Sequence, residues 1–149
     1  MIDFAKLESD FGAMNGRVRY LLGSKAGLFA QPAAIKTIDC SGLTRYLLYR
    51  CTGVLWPDGS TNQLDFARKH LRELDRYSDV EYAKDDDRLF IAFKVPNALQ
   101  RALNRRDGRA RGRHVWLVHR GRTLESYGGH GVGRRHWKAL KADFCFEVK

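Results

Sequence analysis

The chain has 149 residues, a length typical of one domain, of which 44% are hydrophobic and 30% are charged. A chain of this size can bury a core without disulfides, and its three cysteines match neither a disulfide framework nor a zinc motif. No apolar run reaches the roughly 18 residues of a membrane span, and no secretion signal is visible at the start. The net charge of +10 favours a polyanionic partner but does not choose among nucleic acid, anionic lipid and polymers carrying phosphate or carboxylate.

The first half of the chain has the residue spacing of helices. Apolar residues recur every three or four positions over residues 4–21, which predicts one long amphipathic helix. A second helix is predicted over residues 41–52, because Leu43, Leu47 and Cys51 lie on one face, and Gly53 ends it. A third is predicted to begin at Ser60, since Ser60 and Gln63 follow the capping-box pattern.

The second half of the chain changes to short apolar runs of strand character. Four strands are predicted, over residues 89–95, 114–119, 123–126 and 144–148. A tight turn separates the second of these strands from the third, which predicts a hairpin. Helices followed by antiparallel strands indicate an α+β fold.

Cys40 lies where a loop enters the second predicted helix, within the motif DCSGL at residues 39–43. Backbone N–H groups at a helix start are unpaired and stabilise negative charge, so a cysteine at this place is activated as a thiolate. The same groups can stabilise an oxyanion, and Gly42 is expected to leave room for a substrate backbone. Cys40 is therefore predicted to be a nucleophile, whereas Cys51 and Cys145 lie on apolar faces and are predicted to be core residues.

A thiolate nucleophile needs a base, and the base needs a partner that fixes its tautomer. His114 begins the second predicted strand, and the hairpin register brings Glu125 of the returning strand close to it. The sequence therefore predicts a catalytic set of Cys40, His114 and Glu125. Ser126 and Tyr127 remain alternatives for the third position.

These motifs resemble those of the NlpC/P60 family of papain-like cell-wall peptidases. The nucleophile motif of that family is DCSGL, and Tyr20 begins a Tyr-x-x-Gly pattern whose hydroxyl lies near the oxyanion site in the family. The strand that begins at His114 is similar to the family's HVGIY strand, whose histidine is the base. Glu125 falls at the third catalytic position, where the family more often has histidine. Trp116 replaces a family glycine, and it is expected to narrow the cleft or to stack on substrate.

The resemblance extends over about residues 17–133 and implies a papain-like fold in which N-terminal helices pack on a small antiparallel sheet. It implies a single catalytic domain over residues 1–149 that acts as a cysteine endopeptidase on peptidoglycan stem peptides. The Tyr20 hydroxyl would stabilise the oxyanion, and Ser41 and Trp116 would contact substrate. Neither a cofactor nor a metal is expected, because no second close Cys or His pair completes a zinc site.

Other functions stay open at the level of sequence: an N-acetylmuramoyl-L-alanine amidase, a protein-modifying toxin, or a non-catalytic module that binds polyanions. The last would use an arginine-rich segment that is predicted to be an exposed loop. Its arginines are Arg101, Arg105, Arg106, Arg109, Arg111 and Arg113. This segment is expected either to be merely solvated or to bind an anionic wall polymer, and the lack of interleaved aromatic residues argues against nucleic acid. A phage component or an exported effector that acts on the bacterial cell wall would fit a chain without a visible signal.

Overall fold

The computed structural model describes residues 1–149, with helices packed on one antiparallel sheet. The helices are α1 (Phe4–Met14), α2 (Cys40–Thr52), α3 (Ser60–His70) and α4 (Ala98–Asp107). The strands are β1 (Arg72–Glu73), β2 (Leu89–Lys94), β3 (His114–His119), β4 (Arg122–Tyr127), β5 (Gly131–Gly133) and β6 (Phe144–Val148). They lie in the order β1-β6-β2-β3-β4-β5. The predicted α+β class is confirmed, and no helix has the length and apolar character needed to span a membrane.

The first helix is shorter than the apolar spacing predicts. It ends at Met14, and Leu21, the last residue of the predicted stripe, is 55% exposed. Val18 is buried although it lies outside the helix. Its backbone pairs with the chain near β5, because its carbonyl accepts the N–H of Val132 at 2.9 Å. Gly131 makes this approach possible: a Cβ there would lie 2.2 Å from the Val18 oxygen, and its φ is +79°. The chain between α1 and α2 therefore runs beside β5.

The arginine-rich segment is largely a helix, α4, and the prediction of a loop was wrong for residues 98–107. Asn97 and Gln100 form a reciprocal capping box, with N···O distances of 2.8 and 2.9 Å. Gly108 ends the helix in the left-handed conformation. No residue of α4 is buried, although Ala98, Leu99, Ala102 and Leu103 share one helical face, a short apolar stripe that the prediction overlooked among the arginines.

Both faces of the sheet are covered, so successive residues of β3 point into different parts of the core. Val115 and Leu117 pack in the cluster that includes residues of α1 and α2, whereas Trp116 lies on the opposite face. The 3₁₀ helices Tyr77–Ala83 and Trp137–Ala139 cover that second face. The predicted alternation along this strand is confirmed.

Candidate active site

Asp39 defines the start of α2 and thereby the position of Cys40 in its first turn. Its carboxylate is buried and accepts the N–H of Gly42 at 2.7 Å and the N–H of Gly23 at 3.1 Å. Lys25 compensates the charge, with Nζ 2.6 Å from Oδ2 of Asp39. The cap therefore joins α2 to the preceding loop, and it leaves the Cys40 sulfur at the helix N-terminus, where anions are stabilised.

Gly42 has a packing role, and the expectation that it makes room for substrate was wrong. The residue is buried, and a Cβ there would lie 2.8 Å from Oδ1 of Asp39 and 3.0 Å from the carbonyl oxygen of Ser24. Only a residue without a side chain allows α2 to approach the Ser24 backbone this closely. The glycine of the motif thus supports the cap of the helix that carries Cys40.

Gln63 connects α3 to the same first turn, although it does not form the predicted capping box. The N-cap residue of α3 is Gly59, which makes no side-chain cap hydrogen bond. The buried amide of Gln63 donates to the carbonyl oxygens of Ser41 and Pro57, at 2.9 and 3.0 Å. Its oxygen accepts the hydroxyl of Thr44 at 2.8 Å. Both the NH₂ group and the oxygen of the buried Gln63 side chain thus have hydrogen-bond partners.

The three cysteines differ in accessibility in the way that the sequence predicts. Cys51 and Cys145 are buried, and burial raises the pKa of each thiol to about 12. Cys40 is only partly buried and lines a cleft of about 290 Å³. It is therefore the thiol that a substrate can reach.

His114 bridges Cys40 and Glu125. Its Nε2 lies 2.8 Å from Oε1 of Glu125, which leaves Nδ1 as the ring nitrogen available to the thiol. Burial lowers the pKa of His114, but hydrogen bonds to the side chains of Cys40 and Glu125 raise it by more, so that its pKa is about 9. The imidazole is therefore protonated at neutral pH when it faces the thiol.

Glu125 is fully buried, and its carboxylate accepts hydrogen bonds from three side chains, the base included. His114 is the first, Thr123 donates its hydroxyl to Oε2 at 2.6 Å, and Arg135 donates from Nε and Nη2 at 2.9 and 2.7 Å. Burial raises the pKa of Glu125, but these hydrogen bonds lower it by more, to about 2. The carboxylate is therefore charged at any pH near neutrality.

The alternatives for the third position do not reach the base. The Ser126 hydroxyl donates to the carbonyl of Ile38 at 2.8 Å, on the other face of the sheet, and the Tyr127 ring lies under the Arg135 guanidinium at 4.0 Å. Sequence reasoning missed Thr123 and Arg135 as partners of the carboxylate. Thr123 precedes Glu125 by two residues on one strand, a spacing that could have indicated it. Arg135 follows β5 and carries no such signal.

Trp116 does not contact the cleft, so the expectation that it binds substrate was wrong. The side chain is fully buried, and its Nε1 donates to the Tyr77 hydroxyl at 3.2 Å. Its ring stacks on His114, with centroids 5.2 Å apart and planes inclined by 26°. The indole therefore supports the imidazole from the interior, where the resembled family has a glycine.

Tyr20 lies beside Cys40 and borders two clefts. The segment that carries it pairs with the one before the nucleophile, because the Arg19 carbonyl accepts the N–H of Ile38 at 3.0 Å. One cleft contains Cys40, and the other, of about 480 Å³, is bordered by His130. Burial and the nearby charges of Cys40 and Asp39 raise the pKa of the Tyr20 hydroxyl, which keeps it a hydrogen-bond donor at neutral pH.

Ser41 also lines the cleft, but its hydroxyl is already engaged. It is buried and lies 2.8 Å from Nζ of Lys25, which donates to it. Arg113 and Ala110, which follow α4, also line this cleft. The arginine-rich segment is therefore next to the nucleophile, which the sequence alone did not reveal.

Comparisons with known proteins identify the fold. No protein-family model matches the sequence, and no curated protein matches it. Among solved structures, the NlpC/P60 domain of the peptidoglycan hydrolase SagA is similar, with a TM-score of 0.61 and 20% identity over 99% of this chain and 100% of that one. The P60 domain of an antigen from M. avium subspecies paratuberculosis has a TM-score of 0.58 and 21% identity over 97% and 92% of the two chains. The peptidoglycan hydrolase RipB from Mycobacterium tuberculosis has a TM-score of 0.55 and 20% identity over 97% and 63%.

The chain therefore has the papain-like fold of NlpC/P60 domains. The resemblance suggested by the DCSGL motif and by the strand of His114 is confirmed at the level of the fold. At 20–21% identity, the likeness extends to architecture, and the activity has to be argued from the site.

Proposed function

We propose that the chain is a cysteine peptidase that cleaves amide bonds in the stem peptides of peptidoglycan. The observation that carries the proposal is the juxtaposition of the helix-start thiol of Cys40, the His114 imidazole whose pKa that thiol raises, and the buried carboxylate of Glu125 2.8 Å from Nε2 of His114. An accessible thiol beside an imidazole that a carboxylate orients is the arrangement that nucleophilic catalysis requires.

The first half of the reaction forms a thioester. The Cys40 thiolate attacks the amide carbon, and the carbonyl oxygen becomes an oxyanion. We assign its stabilisation to two donors whose residues line the cleft, the Cys40 backbone N–H at the start of α2 and the Tyr20 hydroxyl. His114 then donates its Nδ1 proton to the leaving amine, and the C–N bond breaks.

The second half releases the product and restores the site. His114, now neutral, removes a proton from water, and the hydroxide attacks the thioester carbon. The C–S bond breaks, so that a carboxylic acid leaves and the thiolate–imidazolium pair forms again. Glu125 stays charged throughout and stabilises the imidazolium, because its pKa of about 2 is far below that of His114.

The choice of peptidoglycan as substrate is supported by the neighbours in structure. SagA and RipB are both described as peptidoglycan hydrolases, and the likeness to the SagA domain covers nearly the full length of both chains. The net charge of +10 is consistent with attraction to an anionic wall. The charge does not indicate where the protein comes from. We propose that it is a phage component or an exported effector that acts on the bacterial cell wall.

The test is digestion of purified peptidoglycan by the wild-type protein and by Cys40→Ala, followed by measurement of newly formed amino groups. Wild type should release peptide fragments, and Cys40→Ala should release none. Cys51→Ala is the matched control, because that thiol is buried away from the cleft and its variant should retain the activity. Fragment release by Cys40→Ala would sink the mechanism.

The masses of the fragments decide which bond is cut. Cleavage within the stem peptide supports the peptidase, whereas separation of the sugar from L-alanine would support an N-acetylmuramoyl-L-alanine amidase with the same catalytic residues. Absence of wall cleavage, together with Cys40-dependent modification of a protein, would favour a protein-modifying toxin.

A further inference from the structure

Four arginines surround a pocket of about 250 Å³ next to the nucleophile. Two lie on α4 and two on the segment that follows it: Arg101, Arg105, Arg109 and Arg113. The remaining lining residues are Asn104 and Gly108, so no carboxylate borders the pocket. We refer to this feature as the arginine pocket.

Little of the positive charge of the arginine pocket is compensated within the protein: only Arg109 lies near a carboxylate, that of Asp107, which accepts the Arg109 backbone N–H at 3.1 Å. None of its four guanidinium groups forms an ion pair, and the hydrogen bond from Arg101 goes to the neutral carbonyl of Pro96, at 2.8 Å. The nearest acidic residue along the chain, Asp107, is paired with Arg111 instead, at 2.6 Å. Four like charges around one small volume repel one another, and this repulsion is relieved when an anion binds.

The arginine pocket adjoins the cleft of the nucleophile. Arg113 lines both, and Ala110 also lines the cleft that contains Cys40. An extended substrate with its scissile carbonyl at Cys40 could therefore reach the pocket with a neighbouring group. Guanidinium forks are suited to the oxygens of phosphate or carboxylate, to which they donate in pairs.

We propose that the arginine pocket is a subsite for an oxyanion, a phosphate or a carboxylate, carried by the substrate whose amide bond lies at Cys40. This inference rests on the proposed function. An oxyanion bound here lies away from the reacting atoms, so the subsite strengthens substrate binding and leaves the chemical step unchanged. It would make the enzyme selective for wall material that carries negative charge beside the cleaved bond.

The test compares two variants that remove the same amount of charge. Arg105→Gln/Arg109→Gln removes two guanidinium groups from the pocket, and Arg106→Gln/Arg122→Gln removes two exposed ones outside it. Initial rates of amine release are measured on peptidoglycan that retains its phosphate-bearing polymers and on the same peptidoglycan after their removal by acid. The pocket variant should raise KM about three- to ten-fold with little change in kcat, and the control should change KM less than about two-fold.

The two wall preparations separate the sources of the oxyanion. A rise in KM confined to the phosphate-bearing wall identifies phosphate, and a rise on both preparations identifies a carboxylate of the peptide. Equal losses in the two variants, or no loss in the pocket variant, would overturn the proposal, because general charge attraction or no contact would then explain the result.

Binding without turnover separates this proposal from the proposed function. The Cys40→Ala protein is pelleted with the same wall material, with and without the pocket substitutions. Weaker pelleting on substitution supports the arginine pocket even if the wild-type protein releases no fragments, a result that would end the peptidase proposal alone. Unchanged pelleting overturns the pocket proposal, whatever the wild-type activity.

Discussion

The Glu125 carboxylate lies 2.8 Å from Nε2 of His114 and has no exposure to solvent. A buried carboxylate in this position accepts a hydrogen bond from Nε2–H and so fixes the orientation of the imidazole, which leaves Nδ1 for Cys40. The protein stabilises this buried charge with further donors, Thr123 and Arg135. The role proposed for each residue follows from this arrangement.

Replacing Glu125 with glutamine should lower kcat by about 10²- to 10⁴-fold, because the neutral amide no longer stabilises the imidazolium or fixes its tautomer. The matched control is Glu147→Gln, a buried glutamate of the same sheet whose partners are Arg88 and Arg72, away from the cleft. Steady-state kinetics on soluble wall fragments measure both. Equal activity of the two variants would rule out a catalytic role for Glu125.

The rate should fall at alkaline pH with a limb near pH 9. Burial lowers the pKa of His114, but its hydrogen bonds to Cys40 and Glu125 bring it to about 9, and loss of the proton removes the general acid. The pKa is raised from 6.5, so the contribution of His114 to the free energy of unfolding is complete below pH 6.5 and is lost as the pH rises toward 9.

The dependence of kcat/KM on pH measures the limb, and urea unfolding at several pH values measures the stability. In Glu125→Gln the limb of the residual activity should move to lower pH, because one of the two hydrogen bonds that raise the His114 pKa is weakened. A limb that stays near pH 9 in this variant would show that His114 is not the titrating group.

Arg135→Gln should destabilise the protein and slow the chemical step without changing KM. The variant removes two charge-assisted hydrogen bonds from a buried carboxylate, which costs about 1.5–3 kcal/mol in the free energy of unfolding. It should also raise the pKa of Glu125 from about 2, so that the acid limb of the rate moves to higher pH.

Arg135→Lys keeps the charge but not the paired geometry. Compared with Arg135→Gln, it should bring the acid limb back toward its wild-type pH more fully than it brings back kcat. Urea unfolding and a pH profile of kcat distinguish these effects. A merely structural role for Arg135 would lower the stability and leave the acid limb in place.

Gly42→Ala should destabilise the protein by about 1–3 kcal/mol, because the new Cβ would overlap the Asp39 carboxylate and the Ser24 carbonyl. Loss of the cap contact would also shift Cys40 and lower kcat. Gly12→Ala is the control: its position in α1 has no atom within 4 Å of a Cβ, and alanine should stabilise the helix by about 0.5–1 kcal/mol. Thermal unfolding and kinetics of both variants test the prediction, and an unaffected Gly42→Ala would contradict it.

The parts of the site that the sequence predicts are those with short-range patterns. Cys40 is indicated by a five-residue motif at a helix start, and the two-residue period of strands determines which face His114 occupies. The hairpin turn then limits Glu125 to the neighbourhood of His114, and the structure confirms this placement. The burial of Cys51 and Cys145 followed in the same way from apolar neighbours.

The parts that the sequence did not predict depend on contacts between distant segments. Arg135 reaches Glu125 only because β5 returns the chain along the edge of the sheet, and no local pattern encodes that path. Trp116 is buried because the 3₁₀ helices cover the second face of the sheet. The helix α4 was missed for a local reason, because its apolar stripe is short, lies among arginines and buries no residue in the core.

The central claim is that His114 makes Cys40 a nucleophile, and the rate of alkylation by iodoacetamide at neutral pH tests it most directly, since only a thiolate reacts. Mass spectrometry of peptides follows each cysteine in the folded protein. Cys40 should be labelled about 10²-fold faster than Cys51 and Cys145, whose burial raises their pKa to about 12, and His114→Ala should remove most of this advantage. Labelling of Cys40 no faster than that of the buried cysteines, or unaffected by His114→Ala, would contradict the account and favour a non-catalytic binding module.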